Sequence, residues 1–187
     1  MPKDNIERAI KKSYDENGEN YESVRYEGFG IEGVGLIVET LTDNRNRTAG
    51  DIRSLFSKHG GNLGETGSVS FMFNHLGIVK FPKSAGNFDD IFEIATDAGA
   101  LDCDLIEDEY EISCSTDDLH QVTENIEKKL SCDITSQLTW KPSNQIPLNK
   151  EKAIKIIEMI EVLEDHDDVQ EVFANFDLPD EVLNELQ

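Results

Sequence analysis

Between residues 78 and 140 the hydrophobic pattern switches repeatedly between strand and helix periods, and the order of the switches leaves few folds open. Residues 78–81 read as a short strand. Phe88, Ile91, Phe92 and Ala95 recur at helical spacing across 88–98. Two strands follow at 102–106 and 110–114, then a helix at 116–129 and a closing strand at 134–140. This β-α-β-β-α-β order, complete within about 65 residues and joined by loops of ordinary length, is the split βαβ signature of a ferredoxin-like unit.

The flanks on either side of that unit are each incomplete. Upstream, 2–12 (PKDNIERAIKK) reads as a short helix with Ile6 and Ile10 on one face, and 15–20 as a polar linker. A strand at 21–27 turns through Gly28, Gly30 and Gly33 into a second strand at 34–41. A helix over 49–59, a strand at 68–73 (SVSFMF) and a turn at 74–77 complete a β-β-α-β run. Downstream, 142–147 reads as a linker, 150–163 as a helix carrying Ile154, Ile157, Met159, Ile160 and Leu163, and 169–176 as a strand. One helix and one strand cannot bury that apolar face alone, so the tail is expected to return to the β-β-α-β unit. The resulting organisation is α+β: a helix and linker at 1–20, a discontinuous domain of 21–76 plus 145–187, and a ferredoxin-like domain, 77–144, inserted into it.

Charge is distributed as unevenly as structure. The formal net charge is −22. Residues 1–80 carry 10 Lys+Arg against 12 Asp+Glu, whereas 81–187 carry 7 against 27, and all five arginines lie at or before Arg53. A uniformly acidic chain would argue against nucleic acid, because polyphosphate binding depends on neutralising phosphates. Here Arg45, Arg47, Arg53, Lys58 and His59 fall within one short window, with glycines and Asn62 after it. Thr48 and Asp51 resemble a capping box, Ile52, Leu55 and Phe56 form an apolar stripe, and Gly60-Gly61 supplies the stop. The window reads as a helix seated on a sheet with its cations free for an anion. Arginine suits that role through its planar, bidentate fork.

Other chemistries find little support. Cys103, Cys114 and Cys132 are odd in number and lack zinc-type spacing, which fits buried thiols in a reducing compartment. No run approaches the ~20 apolar residues of a membrane helix. His59, His75, His120 and His166 lie in separate segments, no Ser or Cys sits in a nucleophile motif, and the carboxylate runs at 107–109 and 164–168 read as solvated faces. Neither a cofactor nor a metal is expected, nor a small-molecule substrate.

The segments MPKDNIERAIKK, RYEGFG, ETLTDNRNRT, FSKHGGNLGETGSV with FMF, and LEDHDDVQEVFANFD resemble the YebC/PmpR family of transcriptional regulatory proteins, which also includes mitochondrial translational activators. The resemblance spans essentially the whole chain. It implies a helical first domain followed by two α+β domains, the last inserted into the second. Met1 falls where the family has an internal Met-Pro-Lys-Asp, so most of the basic helical domain is expected to be missing, and GFGIEGVG replaces the more usual Gly-Tyr-Gly-Pro-Gly-Gly. The resemblance implies a nonenzymatic, cytoplasmic DNA-binding regulator, mitochondrial if eukaryotic, with a monomer favoured. A ribosome-associated factor on ribosomal RNA is the first alternative, and a ferredoxin-like module for a ligand or protein is the second.

The candidate nucleic-acid contacts are Arg45, Arg47, Arg53, Lys58, His59, Gly61 and Asn62. Against them stands a plainer reading: cations paired locally with Asp43, Asp51 or Glu65, and glycines serving a helix C-cap and turn. Tyr26 and Phe29 are placed to stack on bases, but aromatic residues in strands are more often core.

Overall fold

The computed structural model describes residues 21–178 of the protein, so the helix expected at 2–12 and the linker at 15–20 lie outside the described residues. In chain order the elements are β1 (Glu22–Phe29), β2 (Gly35–Thr42), α1 (Arg45–Lys58), β3 (Asn62–Leu63), β4 (Phe73–Pro82), α2 (Phe88–Ala98), β5 (Asp102–Ile106), β6 (Glu109–Cys114), α3 (Leu119–Glu127), β7 (Thr135–Pro142), β8 (Ile146–Pro147), α4 (Lys150–Glu164), β9 (Val169–Ala174) and β10 (Phe176–Asp177). They form two compact units. One takes the described residues up to Phe73 and from Pro142 onward; the other is Asn74–Lys141.

The first unit is built on an antiparallel sheet of order β3-β1-β2-β9. β1 and β2 pair along their whole length, from Glu22↔Thr42 to Phe29↔Gly35. Their connection closes because the Gly30 N–H donates to the Val34 carbonyl at 2.8 Å while Glu32 and Gly33 take left-handed φ values of 56° and 77°. β9 runs antiparallel to β2, with Val172 opposite Val38 and a bulge at Glu39/Thr40. Period-two alternation turns Val24 and Tyr26, and Leu36 and Val38, to one face. There they meet Ile52 and Phe56 of α1, Ile156, Met159 and Leu163 of α4, and Val169. Both helices begin at an asparagine cap: Asn44 accepts from the Arg47 N–H and Asn149 from the Lys152 N–H.

Several boundaries differ from the sequence expectation. α1 starts at Arg45 rather than 49, because Asn44 caps it and Thr48 sits buried inside the helix. Residues 68–72 are not a strand, and only Phe73 of the expected 68–73 is, as the first residue of β4. The Glu27 carboxylate captures the Val69 and Ser70 N–H groups, each at 2.9 Å, and Ser70–Met72 coils into a 3-10 turn. The β-β-α-β run therefore ends on the two-residue β3, paired with Gly28 and Phe29 of β1. No turn interrupts 74–77, which lie within the continuous β4. The expected strand at 169–176 is split at Asn175, whose side-chain oxygen accepts from the Gly35 N–H at 2.7 Å, and the expected linker includes β8, which pairs in parallel with β10.

The second unit has a sheet of order β5-β6-β4-β7 with α2 and α3, the β-α-β-β-α-β arrangement of a ferredoxin-like fold. Val79, Phe81, Tyr110 and Ile112 from the sheet pack on Ile91 and Ala95 of α2 and on Val122 and Ile126 of α3. α2 is capped by Asn87 and terminated by left-handed Gly99. α3 is shorter than the expected 116–129. Burial raises the pKa of all three cysteine thiols, with neighbouring aspartates adding to the effect. Taken together, the chain is an α+β protein.

Candidate nucleic-acid interface

Helix α1 lies on the sheet of the first unit through Ile52 and Phe56, both fully buried. At 100° per residue, Arg53 and Lys58 project about 140° apart, on either margin of the solvent face. Between them Asn46, Gly50, Ser54 and Ser57 are all exposed. The middle of that face is thus a floor of small polar residues flanked by two cations. Arg45, at the first helical position, is exposed as well, and its carbonyl accepts from the Tyr26 hydroxyl at 3.1 Å. Among the described residues, none of these three cations forms an ion pair with a carboxylate. Over Arg45 to Lys58 the helix extends about 20 Å.

Arg47 is disposed differently. Its Nη2 donates to Asp43 Oδ1 at 2.7 Å and to Asp168 Oδ2 at 2.9 Å. Asp168 is 4% exposed and also accepts from the Thr48 hydroxyl at 2.7 Å, while Thr48 shares a 2.8 Å bond with Thr42. The network ties the loop after α4 to the first turn of α1. It places a carboxylate where the helix dipole favours one. Around it Tyr21, Asp43, Arg47, Asp51, Asp165, His166, Asp167 and Asp168 line a groove of about 550 Å³. The His166 Nδ1 accepts from the Asp168 N–H, and its Nε2 lies 3.5 Å from Asp51. Acidic groups thus surround Arg47 in the first turn of the helix, beside exposed Arg45, while Arg53 and Lys58 mark its middle and end without a carboxylate partner among the described residues. The run 164–168, read from sequence as a solvated face, contains this buried anchor.

The remaining candidates sit at the C-terminal end. His59 caps α1, and its Nδ1 bonds the Leu55 carbonyl at 2.9 Å. Gly61 has a packing reason to be glycine: a Cβ there would stand 2.4 Å from the Phe29 carbonyl oxygen. Asn62 is exposed on β3. Of the two aromatic residues weighed, Tyr26 is 9% exposed in the core and Phe29 is half-buried.

Two residues that sequence reasoning passed over stand out. Glu27 is 1% exposed, and beside it Arg25 Nε lies 3.6 Å from Oε1. Burial works to raise its pKa, but the N–H groups of Val69, Gly67 and Ser70 and the Arg25 guanidinium outweigh burial and hold it below the usual glutamate value. What this buried carboxylate orders is the 3-10 turn that carries Phe71, which is 72% exposed. The only sequence signal for Phe71 was the alternation of SVSFMF, and that alternation imitates a strand.

Two comparisons bear on what this arrangement belongs to. The family described as TACO1/YebC second and third domain matches residues 21–176. A crystal structure of a conserved hypothetical protein, Aq1575 from Aquifex aeolicus, is similar at 42% identity and a TM-score of 0.78, over 98% of this chain and 76% of that one. Among the described residues, no helix is long and apolar enough to cross a membrane. With an α+β architecture similar to that structure and a family match over residues 21–176, the chain belongs to the TACO1/YebC family.

Proposed function

We propose that this protein is a nonenzymatic regulator of gene expression that binds nucleic acid through the solvent face and C-terminal end of α1, with DNA as its target. Arg45, Arg53 and Lys58 contact phosphates. His59 and Asn62 lie at the edge of that surface, and Arg47 and Gly61 maintain it. The observation that carries the reading is the pairing state of the cations. In a chain with 39 Asp+Glu against 17 Lys+Arg, three exposed cations spread along one helix have no carboxylate partner among the described residues. Between Arg53 and Lys58 the small side chains leave room for a phosphate backbone to approach closely. A long-range field contributes little, because the protein is acidic overall; recognition is local and depends on ionic strength.

A second reading takes ribosomal RNA as the partner, and Phe71, which the Glu27-held turn carries on the opposite face of the sheet from α1, favours it as a separate contact. An aromatic ring held outward by a buried carboxylate suits stacking on an unpaired base, which structured RNA loops offer and duplex DNA does not. Three free cations are also few for an autonomous duplex binder, since proteins making 6–10 phosphate contacts are typical of strong, steeply salt-dependent binding. Anisotropy titrations against a duplex DNA and a ribosomal RNA fragment of equal length, with hydroxyl-radical footprinting of each, separate the two. Preferential duplex protection supports the regulatory reading. Protection of RNA loops supports the second, and absence of binding to both overturns the proposed interface.

A further inference from the structure

We propose that the outer edge of β5 is a docking site for an extended segment of a partner protein in which lysine or arginine alternates with apolar residues. Among the described residues, β5 is the terminal strand of its sheet, paired with β6 alone. The Cys103 N–H donates to the carboxylate of its own neighbour, Asp102, at 2.9 Å, so a side chain stands in for the carbonyl of an absent strand. An edge of this kind is a template for strand addition.

The two faces of that edge differ in chemistry. Toward the helices, Phe92 is 51% exposed, Leu101 67% and Leu105 36%. The sequence pattern had set Phe88 and Phe92 in register with Ile91 and Ala95, yet the core takes Ile91, Ala95 and Ala98 and leaves both phenylalanines about half-exposed, stacked on each other. Phe92, Ala95, Leu101 and Cys103, with Thr96 and Asp102 at its polar side, line a cavity of about 160 Å³ beside the strand. Ligand pockets usually run to about 300 Å³ or more, so this cavity suits one apolar side chain rather than a whole ligand. On the opposite face stand Asp102 and Asp104, and Glu107, Asp108 and Glu109 follow at the turn. Among the described residues, one cation pairs with these five carboxylates: Lys141, 4.0 Å from Asp104 and closer, at 3.3 Å, to Glu111.

Because strand side chains alternate, an added strand presents one set to the exposed Phe92, Leu101 and Leu105 and the other to the aspartates. The first set must be apolar and the second cationic. A second copy of β5 meets this requirement badly, since its own aspartates would face Asp102 and Asp104.

Three labelled decapeptides test the proposal on the full chain: one alternating lysine with valine, one alternating glutamate with valine, and one like the first but with proline replacing every second valine. The lysine–valine peptide should bind and slow amide exchange at Cys103 and Leu105. The proline peptide, equal in charge but unable to pair as a strand, should bind about tenfold or more weakly. Reversal of charge in D102K/D104K should transfer the preference to the glutamate peptide. Leu101→Ala, at an exposed position that folding tolerates, should weaken the lysine–valine peptide independently. Equal binding of the lysine–valine and proline peptides would reduce the site to general adhesion to an acidic surface and overturn the proposal. So would unchanged exchange at Cys103 and Leu105, or a concentration-dependent dimer already protected there without peptide.

Discussion

Replacing Glu27 with glutamine keeps the shape of the side chain, removes its charge and turns one acceptor oxygen into an NH2 donor. In the native protein Glu27 Oε2 accepts two backbone N–H groups at 2.9 Å in a site 1% exposed. Hydrogen bonds to a charged acceptor contribute about 1.5–3 kcal/mol against about 0.5–1.5 for neutral ones, so the loss over two bonds is about 2 kcal/mol. The contact with Arg25, which is one-third exposed, adds little after solvent screening. For a protein of this size the change corresponds to a fall in Tm of about 4–8 °C. The sign of the pH dependence follows from the depressed native pKa. The stabilisation is fully present above the unfolded-state pKa of glutamate and disappears as pH falls through the lower native value. Urea melts of wild type and Glu27→Gln should differ by about 2 kcal/mol at pH 7 and converge in strongly acidic buffer. Amide exchange at Val69 and Ser70 should accelerate in the variant. Equal stability at pH 7, or a gap that does not narrow on acidification, would refute the assignment of Glu27 as the charged anchor of this turn.

Other perturbations separate structural from contacting residues. Gly61→Ala, which drives a Cβ against the Phe29 carbonyl, should destabilise by about 1–3 kcal/mol in thermal melts. Its nucleic-acid affinity should be unchanged once the variant is folded. Asp168→Ala leaves the Thr48 hydroxyl without its 2.7 Å acceptor and should cost about 1–3 kcal/mol. With Asp43, which also holds Arg47 at 2.7 Å, replaced by alanine as well, Arg47 is released and the salt dependence of binding should steepen by about 0.7–0.9, one phosphate contact. Phe71→Ala should leave stability within about 0.5 kcal/mol of wild type. If RNA is the target, it should weaken binding by the about 1–3 kcal/mol of one stacked base, measured by anisotropy.

What could be read from the sequence was local. α2 was legible to the residue because Asn87, the spacing of Ile91 and Ala95, and Gly99 all signal the same helix. The α+β class followed from such segments together. The start of α1 was not legible, since Thr48 and Asp51 imitate a cap while the Thr48 hydroxyl bonds Asp168, 120 residues away. The same distance hid the pairing of Arg47 and the burial of Asp168 within an acidic run. Glu27 likewise converts a strand-like alternation at 68–73 into a turn through partners 42 and 43 residues on. At the candidate site, the exposure of Arg53 and Lys58 is a consequence of helical spacing around Ile52 and Phe56. Which cations remain unpaired depends on tertiary contacts that no local pattern encodes.

The central claim rests on those unpaired cations, and the most direct measurement is the salt dependence of nucleic-acid binding by the triple variant R45A/R53A/K58A. Binding constants are determined by anisotropy between about 50 and 200 mM salt, on the nucleic acid that the wild type prefers. The account predicts weaker binding and a slope of log K against log salt that is shallower by about 2–3, at 0.7–0.9 per phosphate contact, with unfolding unchanged. Lysine at 45 and 53 should restore only part of the affinity, because it returns the charge without the bidentate fork. Unchanged affinity and slope in a folded triple variant would show that this helix face is solvated surface and that nucleic acid is bound elsewhere or not at all.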